Sequence, residues 1–253
     1  MVIVNSLSMR ANYKGIPINT SKNTHEEVFQ LLDQPKTAKI IDIPSGNGAF
    51  VLRLKDHGFT NVWAVDIQNL MKFEHQQFVV SDMTQKINLD DNSLDSVVSI
   101  DGIEHIRSQD SFIKEVHRVL KPGGQLLLST PNISSLRSRW KWFTTGHHHK
   151  CDAPLDEKNP NPLHHIAMIS YPELRYLLHT CGFQITHVST NQTKLASFLF
   201  LPFVPLVYLL TTLAYKKSGR RDKTEWLNKQ VKQSMFTKAL LFGETLIVKA
   251  VKV

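Results

Sequence analysis

Three apolar runs in the chain each stop on an aspartate. Val62–Val65 stops at Asp66, Gln77–Val80 at Ser81-Asp82, and Ser96–Ile100 at Asp101. A fourth run, Lys39–Ile43, contains Asp42 and leads into Pro44-Ser45-Gly46-Asn47-Gly48, after which Ala49 and Phe50 restart an apolar pattern. Glycine permits positive φ and lets backbone come close to a ligand. Gly46 and Gly48 therefore make this turn a candidate nucleotide cradle, with an ordinary strand-to-helix turn as the alternative. A dinucleotide fingerprint needs a further glycine three residues after the second, and Val51 holds that place. A pyrophosphate is thus disfavoured. Asp66, eighteen residues past Gly48, can accept two hydrogen bonds from a ribose diol and repels a 2′-phosphate. Asp82 can accept from an exocyclic adenine amine. With Asp101 these acids form a rim suited to a cationic, adenosine-containing ligand; strand-end caps are the plainer reading.

Two histidines could move a proton. His105 lies just after the fourth strand, in Asp101-Gly102-Ile103-Glu104-His105, and His165 sits at the exit of a Pro-, Asn- and His-rich stretch. An imidazole titrating near neutrality suits removal of a hydroxyl proton. A loop or core histidine without a chemical role is the alternative for each. His164 and the triplet His147-His148-His149 belong to the same stretch. His147, His149 and Cys151 are too cramped for a standard tetrahedral zinc set, and no metal is expected.

The elements that must position these residues alternate. Thr24-His25-Glu26-Glu27 reads as a capping box opening a helix to about Leu32. The Lys39–Ile43 strand is followed by a helix at Asn47–His57, closed by Gly58. After the second, third and fourth strands comes an amphipathic helix, Phe112–Leu120, closed by Lys121-Pro122-Gly123-Gly124. Gln125–Ser129 is a fifth strand. Pro131 to about Ile169 lacks clear periodicity, which marks a functional loop or lid. Ser170-Tyr171-Pro172-Glu173 is a second capping box, opening a helix to about Thr180, followed by strands at Phe183–Val188 and Thr245–Val251. Near-continuous apolar strands alternating with helices imply an α/β fold with a parallel sheet covered on both faces.

The bulk numbers fit this. The 253 residues are 42% hydrophobic and 21% charged, with a net charge of +8. That is a globular composition, and the positive charge fits an anionic partner such as nucleic acid, a phosphorylated substrate or an acidic membrane face. Two cysteines, Cys151 and Cys181, make no disulfide framework, so a reducing, cytoplasmic compartment is expected. The start, Met1–Arg10, carries neither a basic n-region nor a long apolar core, so no signal peptide is expected.

The segments "IIDIPSGNGAF", "VWAVDI", "VVSDMTQKINLDDNSLDSVVSIDGIEHI", "FIKEVHRVLKPGGQLLLSTPN" and "HHIAMISYPELRYLLHTCGFQI" occur in the order seen in class I S-adenosylmethionine-dependent methyltransferases. The chain resembles most closely the methyltransferase type 11 group, which includes ubiquinone-biosynthesis O-methyltransferases. The resemblance covers roughly residues 37–190 and the final strand. It implies a Rossmann-like sheet of seven strands, mostly parallel with the last antiparallel, and helices on both faces. It places the methionine moiety of S-adenosyl-L-methionine on Gly46 and Gly48, the ribose on Asp66 beside Ile67, and adenine at Asp82 with Met83 packed against it. Asp42 would orient the turn from below, and Asp101 would complete the cofactor rim. Pro44 replaces the family's usual first glycine, which puts the detailed shape of the turn in question.

The acceptor is read from what surrounds that core. No Pro-Pro pair follows Asp101, which disfavours the amino methylation of bases and glutamine, and no Pro-Cys pair supports a covalent cysteine. Asp101, Glu104 and His105 resemble the acid–acid–His cluster that holds a divalent ion in some quinone O-methyltransferases, but Glu104-His105 is widespread in the family without metal. Leu195–Tyr215 has no charge over 21 residues and is followed by Lys216-Lys217 and Arg220-Arg221. It is long enough to span a bilayer, yet Pro202 and Pro205 interrupt it and the last strand must return to the sheet. An interface-lying element on an anionic membrane is the favoured reading; burial in a dimer or under the lid, and a true span, are the alternatives.

The expected organisation is an N-terminal helical cap at 1–36, a methyltransferase domain at 37–190 plus 243–253 with a substrate lid at 131–169, and an apolar, basic insertion at 191–242. The expected activity is methyl transfer to an oxygen of a small or lipid-linked acceptor, with His105 and His165 catalytic, in a cytoplasmic protein peripheral to the membrane. An RNA methyltransferase is disfavoured because the basic residues are scattered, so no nucleic-acid partner is expected. A non-catalytic scaffold at the membrane is the remaining alternative.

Overall fold

The computed structural model describes residues 11–151, 154–222 and 224–253, with 218–222 as backbone alone. Residues 1–10, on which the signal-peptide expectation rests, lie outside the described residues, as do the side chains of Arg220 and Arg221. Asn12–Tyr13 (β1) and Ile16–Pro17 (β2) form a hairpin, and Thr24–Leu31 is α1. Among the described residues, the region read as a helical cap thus carries a hairpin ahead of its helix. Its expected capping box does not form either: Asn23, at φ 65°, is the cap residue, and the Thr24 hydroxyl donates backwards to the Ser21 carbonyl at 2.8 Å.

The chain then runs through β3 (Lys39–Asp42), α2 (Ala49–Asp56), β4 (Asn61–Asp66), β5 (Phe78–Val80) and β6 (Leu94–Ile100). A 3-10 turn at Ile103–His105, α3 (Gln109–Val119) and β7 (Leu120–Pro131) follow. Residues 136–145 are α4 (Leu136–Thr145), then come α5 (Tyr171–Thr180) and β8 (Phe183–Thr190). A 3-10 run, Leu195–Phe203, leads into α6 (Val204–Asp222), α7 (Glu225–Met235), α8 (Lys238–Phe242) and β9 (Thr245–Lys252).

The seven-stranded sheet has the order β5-β4-β3-β6-β7-β9-β8. The first five are parallel neighbours, and β9 runs antiparallel to both β7 and β8. This is the α/β, Rossmann-like sheet that the alternating pattern and the resemblance implied. Side chains alternate across each strand, which splits the core in two. Ile41, Val65, Val97, Leu126 and Leu128 pack on one face with Phe112 and Val116 of α3 and Leu174 of α5. Ile40, Val62, Val98 and Leu127 pack on the other with Val28 of α1 and Phe50 and Leu54 of α2.

Two segments differ from expectation or add to it. The stretch 131–169, read as irregular, contains α4. Its signals are a Ser135 hydroxyl accepting the Ser138 N–H at 3.3 Å and Gly146, at φ 74°, closing the last turn. They escape a periodicity search because its large apolar residues, Trp140, Trp142 and Phe143, face solvent. The chain leaves the sheet at Thr193 and returns at Gly243, and these two residues form an antiparallel bridge. Between them α7 packs back along α6: Asn228 Nδ2 donates to the Tyr215 carbonyl at 2.9 Å and Lys232 Nζ to Thr212 Oγ1 at 3.2 Å.

Asn132, 1% exposed, ties this returning chain to the end of β7. Its Nδ2 donates to the carbonyls of Ala239, Leu240 and Gly243 at 3.1, 3.2 and 3.1 Å. Asn132→Ala would leave buried carbonyls without a donor. We expect a loss of about 1–3 kcal/mol, read as a lower denaturant midpoint with an unchanged slope.

Candidate functional site

The carboxyl ends of the parallel strands form the crest on which the sequence-derived residues gather. Asp42 ends β3 and is 2% exposed. Burial, reinforced by the nearby Asp66 charge, raises its carboxyl well above the ordinary range. The Ile43–Pro44 peptide bond is cis. Gly46 follows with φ +50° and no atom within 4 Å of the place a Cβ would take, so space is open above it. Gly48 is different. At φ +83° its hypothetical Cβ would lie 2.6 Å from Met71 Sδ and 2.9 Å from Phe73, so Gly48 is needed by the side chains that roof the turn. The β1–β2 hairpin adds to that roof, because Asn47 Nδ2 donates to the Pro17 carbonyl at 3.2 Å.

Asp66, at the end of β4, uses both carboxylate oxygens on this turn. Oδ2 accepts the Gly46 N–H and Oδ1 accepts the Ile67 N–H, each at 2.8 Å. Each oxygen keeps a second lone pair, so a diol can still be accepted. Ile67 beside it is 48% exposed, a free apolar surface for a flat ring. Ser45 Oγ is buried at the foot of the open space without a hydrogen-bond partner. Open volume over Gly46, an unpartnered hydroxyl and an acid with spare acceptor capacity fit S-adenosylmethionine.

Asp82 and Met83 follow β5. Asp82 Oδ1 is occupied by the N–H and hydroxyl of Thr84, both at 2.7 Å. Met83 is packed into the core beside Ile41 and Val65 and is only 7% exposed. Only that narrow edge of Met83 is open to a ligand. Asp101 follows β6 at φ +47°, a left-handed conformation unusual for a residue with a side chain. Ser129 on β7 holds it there. The Ser129 hydroxyl donates to Asp101 Oδ1 at 2.6 Å, and the Ser129 carbonyl accepts the Asp101 N–H at 3.1 Å. A side chain on Gly102 would strike the Pro44 ring, so the turns after β3 and β6 touch.

His105 and His165 meet, although sixty residues separate them in sequence. Their ring centroids are 4.8 Å apart in an edge-on arrangement. Three hydrogen bonds bring residues 164–167 onto the 3-10 turn and the start of α3: His105 Nδ1 with the His164 carbonyl at 3.1 Å, the Ala167 N–H to the Glu104 carbonyl at 3.0 Å, and Gln109 Nε2 to the Ala167 carbonyl at 2.6 Å. A carbonyl only accepts, so His105 keeps this bond with a proton on Nδ1. Burial pushes His105 below the ordinary histidine value, opposed by its bonds to the backbone of His164 and of Asp101. Burial, then the His105 charge, lowers His165 as well.

Glu104 was noted in the sequence only within an acid–acid–His cluster. It is fully buried, with Oε2 accepting the Thr130 hydroxyl at 3.0 Å and Oε1 unpartnered. Burial and the Asp101 charge raise its carboxyl well above the ordinary range. Glu104, His105 and His165 offer one ligand atom each within 4.8 Å of one another, so the set that converges includes His165 and not Asp101. His147, His149 and Cys151 form no such group among the described residues. Instead His148 Nδ1 lies 3.3 Å from Ser138 Oγ and His149 Nε2 lies 3.7 Å from Glu244. Ser129, Thr130 and Gln109 carried no signal in the sequence, because their roles arise from contacts between distant strands and loops.

Residues 21–188 match the family described as methyltransferase domain. A protein named as a probable S-adenosylmethionine-dependent methyltransferase from Mycolicibacterium smegmatis is 38% identical over 100 residues, 40% of this chain and 32% of that protein. The mitochondrial ubiquinone biosynthesis O-methyltransferase of Rattus norvegicus is 28% identical over 111 residues, 39% of this chain and 32% of that protein. The match thus spans about a third of the length of each relative. The crystal structure of an S-adenosylmethionine-dependent methyltransferase from Mesorhizobium loti superimposes with a TM-score of 0.54 at 16% identity, covering 90% of this chain and 96% of that one. This last likeness is one of fold.

Asp66→Ala removes both the brace of the Gly46 turn and a charged acceptor. Calorimetric titration with S-adenosylmethionine should show binding weakened by about 1–3 kcal/mol. Unchanged affinity would remove Asp66 from the site.

Proposed function

Because the chain belongs to the methyltransferase family that its residues 21–188 match, we propose that it binds S-adenosylmethionine over the Gly46 turn and methylates an oxygen of a small or lipid-linked acceptor on the cytoplasmic side of a membrane. Asp66 and Ile67 would hold the ribose and flank the adenine, Asp82 and the edge of Met83 would meet the base, and Asp42 and Asp101 would shape the cradle. S-adenosylmethionine, when bound, supplies a methyl group on a sulfonium, already activated for in-line displacement.

The protein's own task is then to place the acceptor and take its proton. The observation that carries this reading is the His105–His165 pair at 4.8 Å, with the His105 ring oriented by its Nδ1 bond to the His164 carbonyl at 3.1 Å. His105 is the base. His165, held by the lid exit, lies against it and positions the acceptor hydroxyl. Burial and the Asp101 charge raise the Glu104 carboxyl well above the ordinary range, which weakens any negative charge it brings to the pair. An acceptor that must lose a proton uses this arrangement fully.

Both imidazoles are neutral at pH 7, because burial lowers each below its ordinary value. Protonation at acid pH removes the base. With labelled donor and a panel of phenolic and polyprenyl-linked hydroxyl acceptors, kcat/KM should be flat at neutral pH and fall on acidification, with its inflection below the ordinary histidine pKa of about 6.5. His105→Gln should lower kcat roughly 10²–10⁴-fold while donor affinity, measured by calorimetry, stays unchanged. Retention of kcat in that variant would end the assignment of the base.

A further inference from the structure

Leu195–Lys217 is 23 residues long; its most apolar window has a mean hydropathy of 1.9, and only 6% of that window is buried. Leu199, Phe203, Leu206, Leu209, Leu210 and Leu213 are exposed, Leu199 at 76%. A second element extends this surface. Trp140 of α4 stacks at 6.3 Å on Phe203, lies 6.3 Å from Phe200 and 6.1 Å from Phe143, and Phe143 is itself 77% exposed. The α4 end and the start of the apolar segment are also joined underneath, where Leu136, Leu241 and Phe242 pack with Phe200, Val204 and Val207. The face is therefore one composite surface.

We propose that α4 and the segment 195–217 together form a docking face for an anionic bilayer leaflet, which presents a lipid-borne hydroxyl to the lid. Charge and side-chain chemistry argue for this occupant. No acidic residue occurs from Asn191 to Arg221, and Lys216 and Lys217 are exposed at the far end of the apolar run. Tryptophans bordering an apolar face, with lysines beside them, suit the headgroup boundary, and each lysine gains from anionic lipid. The attachment lies along the surface and does not cross it. The Thr193–Gly243 bridge returns the chain to its point of departure, and Tyr215 and Leu227 pack against the sheet core. The 3-10 run with Pro202 also breaks any continuous α-helical span.

The face is wired to the site through α4. Ser138 accepts the His149 N–H at 3.1 Å, and His149 and Lys150 lie 3.7 and 3.2 Å from buried Glu244, which also accepts from Lys194 at 2.8 Å. The loop carrying those residues leads to His165. That this face delivers the acceptor rests on the methyl-transfer reading; the docking itself does not.

The test is flotation of the full chain with phosphatidylcholine vesicles, with and without phosphatidylglycerol, together with tryptophan quenching by brominated lipids. The parent should float with anionic vesicles and be quenched. Trp140→Ser combined with Phe143→Ser should weaken binding roughly tenfold or more, as should Leu199→Glu combined with Leu209→Glu. Both variants change exposed residues, and calorimetry with S-adenosylmethionine checks each separately. Vesicle binding without donor binding would uphold the face and fail the methyl-transfer reading. A parent that stays unbound, that instead buries the face in a dimer, or that yields fragments protected inside sealed vesicles, would overturn the proposal.

Discussion

The carboxylate of Asp66 is the constraint from which the site follows. It sits at the end of one strand and grips the turn leaving the neighbouring strand, with one oxygen on the Gly46 N–H and the other on its own successor, Ile67. A charge-assisted bond of this kind is stronger than a neutral one. It fixes the left-handed conformation at Gly46 and keeps the space above that residue open. Burial, and then the nearby Asp66 charge, raise the Asp42 carboxyl well above the ordinary range. One residue thus shapes the turn, sets the local charge and retains lone pairs for a ligand.

The second half of the site is assembled from elements far apart in sequence. The 3-10 turn after β6 supplies Glu104 and His105, the loop before α5 supplies His165, and β7 supplies the hydroxyls of Ser129 and Thr130 that bond Asp101 and Glu104. Backbone groups do most of the joining, through the carbonyls of His164 and Glu104 and the N–H of Ala167. Because a carbonyl accepts only, the join also keeps a proton on His105 Nδ1.

Much of this was legible in the residues. The βα alternation and the apolar strands report the sheet because parallel strands are buried on both faces and leave a continuous signal. The crest acids follow from position at strand ends. What escaped has a physical reason in each case. The hairpin β1–β2 is only two residues per strand, too short for alternation to register. Thr24 had the residues of a capping box, but its hydroxyl found the Ser21 carbonyl first; at Ser170 the same motif does form, with the Ser170 N–H on Glu173 at 2.9 Å. Helix α4 turns its aromatic residues outward, so the usual link between apolar periodicity and burial fails there. The convergence of Glu104 with His165 depends on the path of a loop, and no local pattern encodes that path.

The position of β9 has a consequence for the order in which the molecule can be made. It lies between β7 and β8 and is antiparallel to both, yet the apolar run precedes it in the chain. During synthesis, β7 and β8 leave the ribosome with bare edges, and the greasiest part of the protein emerges before the strand that unites them. Unpaired strand edges and exposed apolar surface are the conditions under which nascent chains stick to one another. The half of the sheet beyond β7 therefore stays open until Thr245–Lys252 arrives to close it.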